Sequence, residues 1–220
     1  LIAGERAKAS TAYVSALHYL VAGTALLADS GWDDRADLMF PLEFHRAECE
    51  FLTGELAAAE ARLAMLASRA AGAVDQAAVA CLRIDLYTTL MQAERAVDVA
   101  LGYLRNLGGE WEPHPNEELV RREYERTRSL LGGREIEGLI DVPLMSKPES
   151  AAVVEVMDKA IPPATFTDRN LFVLLLWRIV NFSLEHGNTD ASCYAYVHGG
   201  VLAGVRFGNY KFGLRLGQLG

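Results

Sequence analysis

Apolar side chains recur along this chain at the three-and-four spacing of a helix, from one end to the other. Val14, Leu17, Leu20, Val21 and Leu27 form one such stripe, and Leu56, Leu63 and Leu66 form another. This periodicity predicts amphipathic helices throughout. Ser10 or Thr11 caps a helix running to about Ala28, and Asp29-Ser30-Gly31 ends it. A second helix spans about 33–53, with Pro41 expected to kink or split it. Helices follow over 55–69, 75–90 and 92–107. Gly108-Gly109 and a loop holding Pro113 and Pro115 then interrupt the chain. Asn116 caps a helix to Leu131, and a short helix over 134–140 stops before Pro143. Another opens at Lys147-Pro148 and is broken at Pro162-Pro163. Asp168 caps an apolar helix to His186, ended by Gly187-Asn188. Segments 192–205 and 208–220 make a last pair. Nothing between the helices alternates over a length that predicts a strand.

A longer period overlies the helical one. Gly54 is followed five residues later by Ala59, Met91 by Ala96, Gly133 by Gly138 and Gly208 by Gly213. Ala16 fits one interval before Ala59, and Ala47 lies just ahead of Gly54. As far as Gly138 the intervals are roughly forty residues, the length of a stacked helix pair, and the step on to Gly213 is nearly twice that. Two antiparallel helices expose an apolar face that only a neighbouring pair can cover, and small residues are needed where the two backbones cross. The expected fold is therefore all-α: an α-solenoid of antiparallel helix pairs, about ten to twelve helices. Ala16, Ala47, Gly54, Ala59, Ala96, Gly138 and Gly213 are the expected crossing and turn residues. We expect one helical-repeat domain over 1–220, with possible sub-blocks 1–109 and 116–220 joined by the proline-containing loop.

Composition narrows the function classes. Of 220 residues, 51% are hydrophobic and the net charge is −8, which argues against a nucleic-acid partner. The densest basic run, Arg121, Arg122, Arg126 and Arg128, is interleaved with Glu117, Glu118, Glu123 and Glu125. It reads as a solvated helix face laced with local ion pairs. Cys49, Cys81 and Cys193 lack metal-ligand spacing and read as three reduced, buried thiols of a cytoplasmic protein. The most apolar run, 171–180, is short and contains Arg178, so it reads as a core helix and no membrane partner is expected. The chain opens on Leu1 in what looks like the tail of a helix and closes on a helical pattern, and the expectation is an excised piece of something larger.

The spacing resembles degenerate tetratricopeptide-type repeats, with aromatic landmarks at Tyr87, Tyr103 and Tyr210. A more specific resemblance rests on 12–27, 47–54 and 107–108. It rests also on Gly133-Arg134-Glu135-Ile136-Glu137-Gly138-Leu139-Ile140-Asp141-Val142-Pro143-Leu144-Met145, on 166–172 and on Ser183-Leu184-Glu185-His186-Gly187-Asn188. These stretches look like the helical region of very large bacterial signalling proteins. There a Ser/Thr-kinase-like domain and an AAA/STAND-type ATPase come first, and often a GAF domain and a sensor histidine kinase follow. The resemblance implies that this chain holds neither the ATP site nor the phosphorylated histidine. Pro41 is a departure from the regular second unit.

The sequence carries none of the common catalytic motifs. None of the four lysines (Lys8, Lys147, Lys159, Lys211) closes a P-loop, and no HExxH, Glu-x-x-His or Gly-x-Ser-x-Gly is present. No cofactor is expected. His186, Cys193 and His198 fall near one turn. They read either as a soft metal site or, preferred here, as a helix-terminating histidine with two residues of the next helix. His18, His45 and His114 are isolated, and Trp111 reads as a loop anchor. The richest polar-aromatic patch is Asn181, Glu185, His186, Asn188, Tyr194, Tyr196 and His198. It either lines a concave groove for a peptide, domain or small effector, or packs its tyrosines between the last two units. The function expected is a non-enzymatic scaffold contacting other domains of the same polypeptide or a signalling protein. A small-effector-sensing arm is the alternative, and an all-helical enzyme the third option.

Overall fold

A computed structural model describes residues 1–27 and 31–219. Twelve α-helices account for most of them: α1 (Ile2–Ala9), α2 (Tyr13–Leu27), α3 (Gly31–Asp34), α4 (Ala36–Leu52), α5 (Leu56–Arg69), α6 (Ala73–Thr89), α7 (Ala93–Asn106), α8 (Glu117–Leu131), α9 (Pro148–Thr167), α10 (Arg169–His186), α11 (Asp190–Val205) and α12 (Tyr210–Gly217). A 3-10 segment, Ile136–Asp141, lies between α8 and α9. No strand occurs among the described residues, only an isolated bridge between Leu144 and Asn188. The fold is all-α, built of sequential helix pairs. The chain gathers into two compact units, 1–86 and 87–220. The expected stop at Asp29-Ser30 lies outside the described residues.

One turn recurs and explains the sequence period. At residues 11, 54 and 91 the chain enters the left-handed region, with φ of 58° at Thr11, 84° at Gly54 and 59° at Met91. Each time the next amide donates back to the carbonyl five residues earlier. The bonds are Ala12 to Ala7 (2.9 Å), Glu55 to Glu50 (2.8 Å) and Gln92 to Tyr87 (2.8 Å). The turn residue itself donates three residues back, to Lys8, Phe51 and Thr88. This is the Schellman closure, which satisfies the last carbonyls of one helix while reversing the chain. A new helix begins two residues after the turn residue, and α1 with α2 and α4 with α5 pack as pairs across their turns. Gly208, with φ of 69°, makes a variant in which Asn209 donates to Ala203 at 2.8 Å. Five residues past each turn stands a fully buried small residue, Ala16, Ala59 or Ala96, and Gly213 is likewise buried. Thr11 supplies the turn for Ala16 and Ser10 is the C-cap of α1, so neither is the N-cap the sequence suggested for the second helix.

In the first unit α1 packs on α2, α2 on α4, and α4 on α5. Ala16, Leu20, Leu42 and Cys49 form a core flanked by Leu1, Tyr13, Leu17 and Leu27. Ala47 is also fully buried. A buried ionic strut ties α4 to α5. The Arg62 guanidinium donates to both oxygens of Glu50 at 2.8 and 2.9 Å and also reaches Glu43, while Arg46 donates to Glu50 at 3.0 Å. Both carboxylates are buried. A second strut joins α1 to α4: Lys8 meets Glu48 and His45, and His45 also reaches Glu5 at 3.3 Å. His45, which stands alone in the sequence, is thus fixed between two helices. Hydrogen bonding from His45, together with Lys8, holds the Glu48 carboxyl below its ordinary range against the opposing effect of burial.

The second unit is organised around α10, which packs on α8, α9 and α11, while α7 packs on α9 and α11 on α12. Leu171, Val173, Leu174, Leu175, Leu176, Trp177, Ile179 and Val180 are all fully buried. That is why this stretch is apolar on every side rather than on one face. Trp177 and Tyr124 meet edge to face with centroids 5.1 Å apart, and Phe207 stacks on Tyr124 at 4.0 Å while also meeting Trp177 at 6.2 Å.

The structure corrects several expectations. Pro162 and Pro163 do not break a helix, for α9 continues through them to Thr167. Two ladder donors are lost, but Ala160, Ile161, Pro163 and Ala164 are buried, and that packing offsets the loss. The helix expected to kink or split at Pro41 is interrupted instead at Arg35, and α4 runs on through Pro41. Gly138 is no helix crossing. It is exposed in the 3-10 segment, and a β-carbon there would stand in open space. The fourteen-odd residues before Pro148 hold too little unbroken helix to form a pair. Gly213 is the opposite case. A β-carbon on it would lie 2.3 Å from the Gly200 carbonyl, and one on Gly200 would lie 2.6 Å from the Gly213 carbonyl. Here α11 and α12 touch backbone to backbone.

Two outcomes follow. Gly213→Ala forces this crossing apart and lowers stability by about 1–3 kcal/mol, whereas Gly138→Ala changes it by no more than about 0.5 kcal/mol; thermal melts of the two variants compare them directly. Arg62→Met leaves two buried carboxylates without their shared cation and costs about 3–5 kcal/mol in urea unfolding, while replacing Arg62, Glu43 and Glu50 together by Met, Leu and Leu restores most of it.

Candidate functional site

The polar patch read from the sequence divides into two parts with different surroundings. Asn181 and Glu185 lie on α10, where it faces α8. Asn181 is 2% exposed. Its amide donates to the Glu123 backbone carbonyl at 3.1 Å and to the Glu123 carboxylate at 2.9 Å, and its carbonyl oxygen accepts from Thr127 at 2.6 Å. Arg178, one turn earlier, donates to Glu123 at 3.1 Å and to the Glu110 carbonyl at 2.7 Å, with its guanidinium 4.0 Å above the Trp111 ring. Burial pushes the Arg178 guanidinium below its ordinary value, and Glu123 pulls it back. Glu185 closes the row by accepting from Arg126 at 2.8 Å. The charges of α8 are therefore not only local i,i+4 partners. Glu123 and Arg126 bridge to α10, and Arg122 bridges to Glu110. Trp111 is the anchor its sequence setting suggests, held under Arg178 and by Arg105, which donates to its carbonyl.

Asn188 is the second centre. All four of its polar groups are used. The backbone amide donates to the Pro143 carbonyl at 2.9 Å, and the backbone carbonyl accepts from Met145 at 2.8 Å. The side chain donates to the Leu139 carbonyl at 3.1 Å and accepts the Tyr196 hydroxyl at 2.7 Å. Gly187, with φ of 110°, makes this possible, since a β-carbon there would stand 2.6 Å from the Pro143 carbonyl. The stretches 139–145 and 183–188, far apart in sequence, are thus one strap binding the loop before α9 to the turn between α10 and α11. Next to it Ser183 and Ser192 share a buried hydrogen bond of 2.7 Å, and Thr189 with Ser192 forms a capping box on α11.

The remaining members of the patch face elsewhere. Tyr194 is exposed and stacks on His198 at 3.9 Å, and the Tyr194 carbonyl lies 3.0 Å from His198 Nδ1. His186 is exposed at the end of α10, its ring 4.3 Å from that of Phe182. Cys193 is exposed, unlike buried Cys49 and Cys81, which corrects the expectation of three buried thiols. Among the described residues no group of three or more His, Cys, Asp or Glu side chains is placed to hold a metal ion. His114, isolated in the sequence, lies 3.0 Å from Asp168, the residue that caps α10 through the amides of Asn170 and Leu171. Of the crossing residues, Ala16, Ala47, Ala59, Ala96 and Gly213 are buried, and Gly54 is the exposed turn residue.

One cavity of about 390 Å³ opens in the first unit. Phe40, Pro41 and Phe44 of α4 line it with Asp75 and Ala78 of α6. The Phe40 and Phe44 rings lie nearly parallel, 6.2 Å apart. Its size is within the range of small-molecule sites. Only Pro41, as a break in a regular unit, marked this place in the sequence.

Comparison with known proteins adds context. The chain is 20% identical over 243 residues to hybrid signal transduction histidine kinase G of Dictyostelium discoideum. The match takes in 98% of this chain but 7% of that protein. No family model and no solved structure matches the chain. The sequence is therefore similar to one segment of a much longer signalling protein. Among the described residues, no helix is long and apolar enough to cross a membrane.

Burial pushes the Tyr196 phenol up to about 12, with a hydrogen bond to Ser183 acting in the opposite direction. A phenol whose folded-state value is raised contributes stability that is intact below its unfolded value near 10 and is lost as pH rises through about 12. The loss amounts to roughly 2–3 kcal/mol. Tyr196→Phe is expected to be less stable than the natural chain at neutral pH by about 1 kcal/mol and to lose less between pH 10 and 12, so that the order of the two reverses. Paired urea titrations across that range check it.

Proposed function

We propose that this chain is a non-enzymatic, tetratricopeptide-like scaffold of a signal-transduction protein. It positions neighbouring modules, an ATPase and a kinase in the arrangement its sequence resembles, or docks a signalling partner. The observation that carries this reading is the recurring Schellman turn with its buried small residue, which builds one helix pair after another. The likeness to a segment of a histidine kinase supports the signalling context. So does the use of interior charge: Arg62, Glu43, Glu50, Arg178 and Glu123 are spent on joining helices rather than converging on an open cleft. A scaffold of this kind needs stiffness within each pair and an outer surface for neighbours, and struts of this kind supply the first.

Cross-linking mass spectrometry on cells producing the natural protein tests the reading through the exposed Lys147 and Lys211. Cross-links from these lysines to sequence outside 1–220, in the same polypeptide or in a signalling protein, are expected. Turnover by the purified chain in hydrolase or transferase panels, with no such cross-links, would overturn it. The cavity at Phe40 and Phe44 favours a second reading, a small-effector arm. On that reading a metabolite at a hundred times its dissociation constant raises stability by about 2.7 kcal/mol, and Phe40→Ala abolishes the shift.

A further inference from the structure

The walls of the cavity in the first unit have a one-sided chemistry. Besides Phe40, Pro41 and Phe44, the lining comprises two alanines and two aspartates, Asp37 and Asp75. None of these side chains carries positive charge, and with its carboxylates ionised none donates a hydrogen bond. Pro41 adds an acceptor of another kind. It has no N–H, so the backbone carbonyl of Asp37, four residues earlier in α4, lacks its ladder donor. The lining side chains therefore offer acceptors and aromatic surface and no donor.

The two aspartates are not equivalent. Each stands in the first turn of its helix, Asp37 in α4 and Asp75 in α6. The positive end of a helix dipole amounts to roughly half a charge, so each helix start stays negative on balance. Arg35 donates to both oxygens of Asp37, at 3.2 and 3.4 Å, and offsets much of its charge. Among the described residues no cation pairs with Asp75, which leaves the uncompensated charge on the α6 side. Opposite it on α4 lie the nearly parallel rings of Phe40 and Phe44, both only partly buried. Ring faces attract cations and stack on other rings. An anion would meet two carboxylates and no donor side chain. A divalent metal ion would find two carboxylates, one already engaged, where it takes six or more oxygens.

We infer that this cavity binds a small organic ammonium with an aromatic body, its nitrogen donating to Asp75 and its ring lying against Phe40 and Phe44. The ammonium supplies the donors and the positive charge that the walls lack, and the ring covers the apolar surface that water covers poorly. A volume of about 390 Å³ admits a one-ring amine. This ligand class rests on the small-effector reading of the same cavity and leaves the scaffold reading untouched.

Isothermal titration calorimetry of the 220-residue chain with phenethylammonium and with phenethyl alcohol tests it. The two probes differ only in ammonium against hydroxyl, and matched ionic strength keeps screening equal. Phenethylammonium is expected to bind, and the alcohol to bind about tenfold more weakly or not at all. Asp75→Asn is expected to weaken phenethylammonium about tenfold and to leave the alcohol unchanged, whereas Phe40→Leu weakens both. Asp75 is exposed, so its replacement leaves the fold intact; should Phe40→Leu lose helix by circular dichroism, Asp75→Asn carries the test alone. No binding of phenethylammonium at millimolar concentration would overturn the inference. So would equal binding of the two probes, or an Asp75→Asn variant that holds the ammonium as tightly as the natural chain. Neutral or anionic metabolites that raise stability, with the shift lost in Phe40→Ala, would remove the ammonium and leave the effector arm standing. A metabolite panel silent at every charge would remove both.

Discussion

The chain must reverse direction after each helix without leaving carbonyls unpaired, and most of the architecture follows from how it does so. A residue in the left-handed region lets the next amide reach back to the last full turn, and the helix end is closed by its own backbone. Reversal within so few residues brings the second helix directly alongside the first. Their axes then converge near the turn, and the side chain five positions on falls at the narrowest point. Alanine at 16 and 59 and glycine at 213 are the consequences of that convergence, not independent features. At Gly200 and Gly213 it reaches the limit, with backbone against backbone.

What fixes the alignment of packed helices is of a different kind. Apolar burial holds the pairs together but is indifferent to register, because leucine and alanine slide past one another at small cost. The polar struts add direction. Arg62 grips Glu43 and Glu50 from a neighbouring helix, and Glu123 is bound by both Arg178 and Asn181. Removing one member leaves its partner buried and unpaired, so each strut tolerates one alignment and penalises the others. Asn188 does the same for a loop, using every donor and acceptor it owns.

Helix existence was legible from periodicity, and so were the caps at Asn116 and Asp168, where polar residues precede apolar runs; the cap at Asn209 was not read from the sequence. The five-residue offset was legible because the turn and the crossing are linked locally. Where the sequence misled, long-range packing had outweighed a local preference. Pro162 and Pro163 are poor helix formers held in a helix by burial. Gly133 and Gly138 imitate the offset without a helix pair around them. The patch from Asn181 to His198 looked continuous because its members are near in sequence, but successive helix positions point a hundred degrees apart. Four of the seven, Asn181, Glu185, Asn188 and Tyr196, therefore entered the α8–α10 seam or the strap, and three faced out. His45, His114 and Arg62 could not be placed at all, for their partners come from other helices.

The sequence by itself determined what is local: where helices start, where the chain turns, and which positions must be small for the turn to work. These depend on backbone closure and on contacts within a few residues. Only the tertiary structure decided which charges are struts and why Gly187 must lack a side chain. Those depend on which helix arrives opposite which, and no spacing along one chain encodes the identity of the group across the gap.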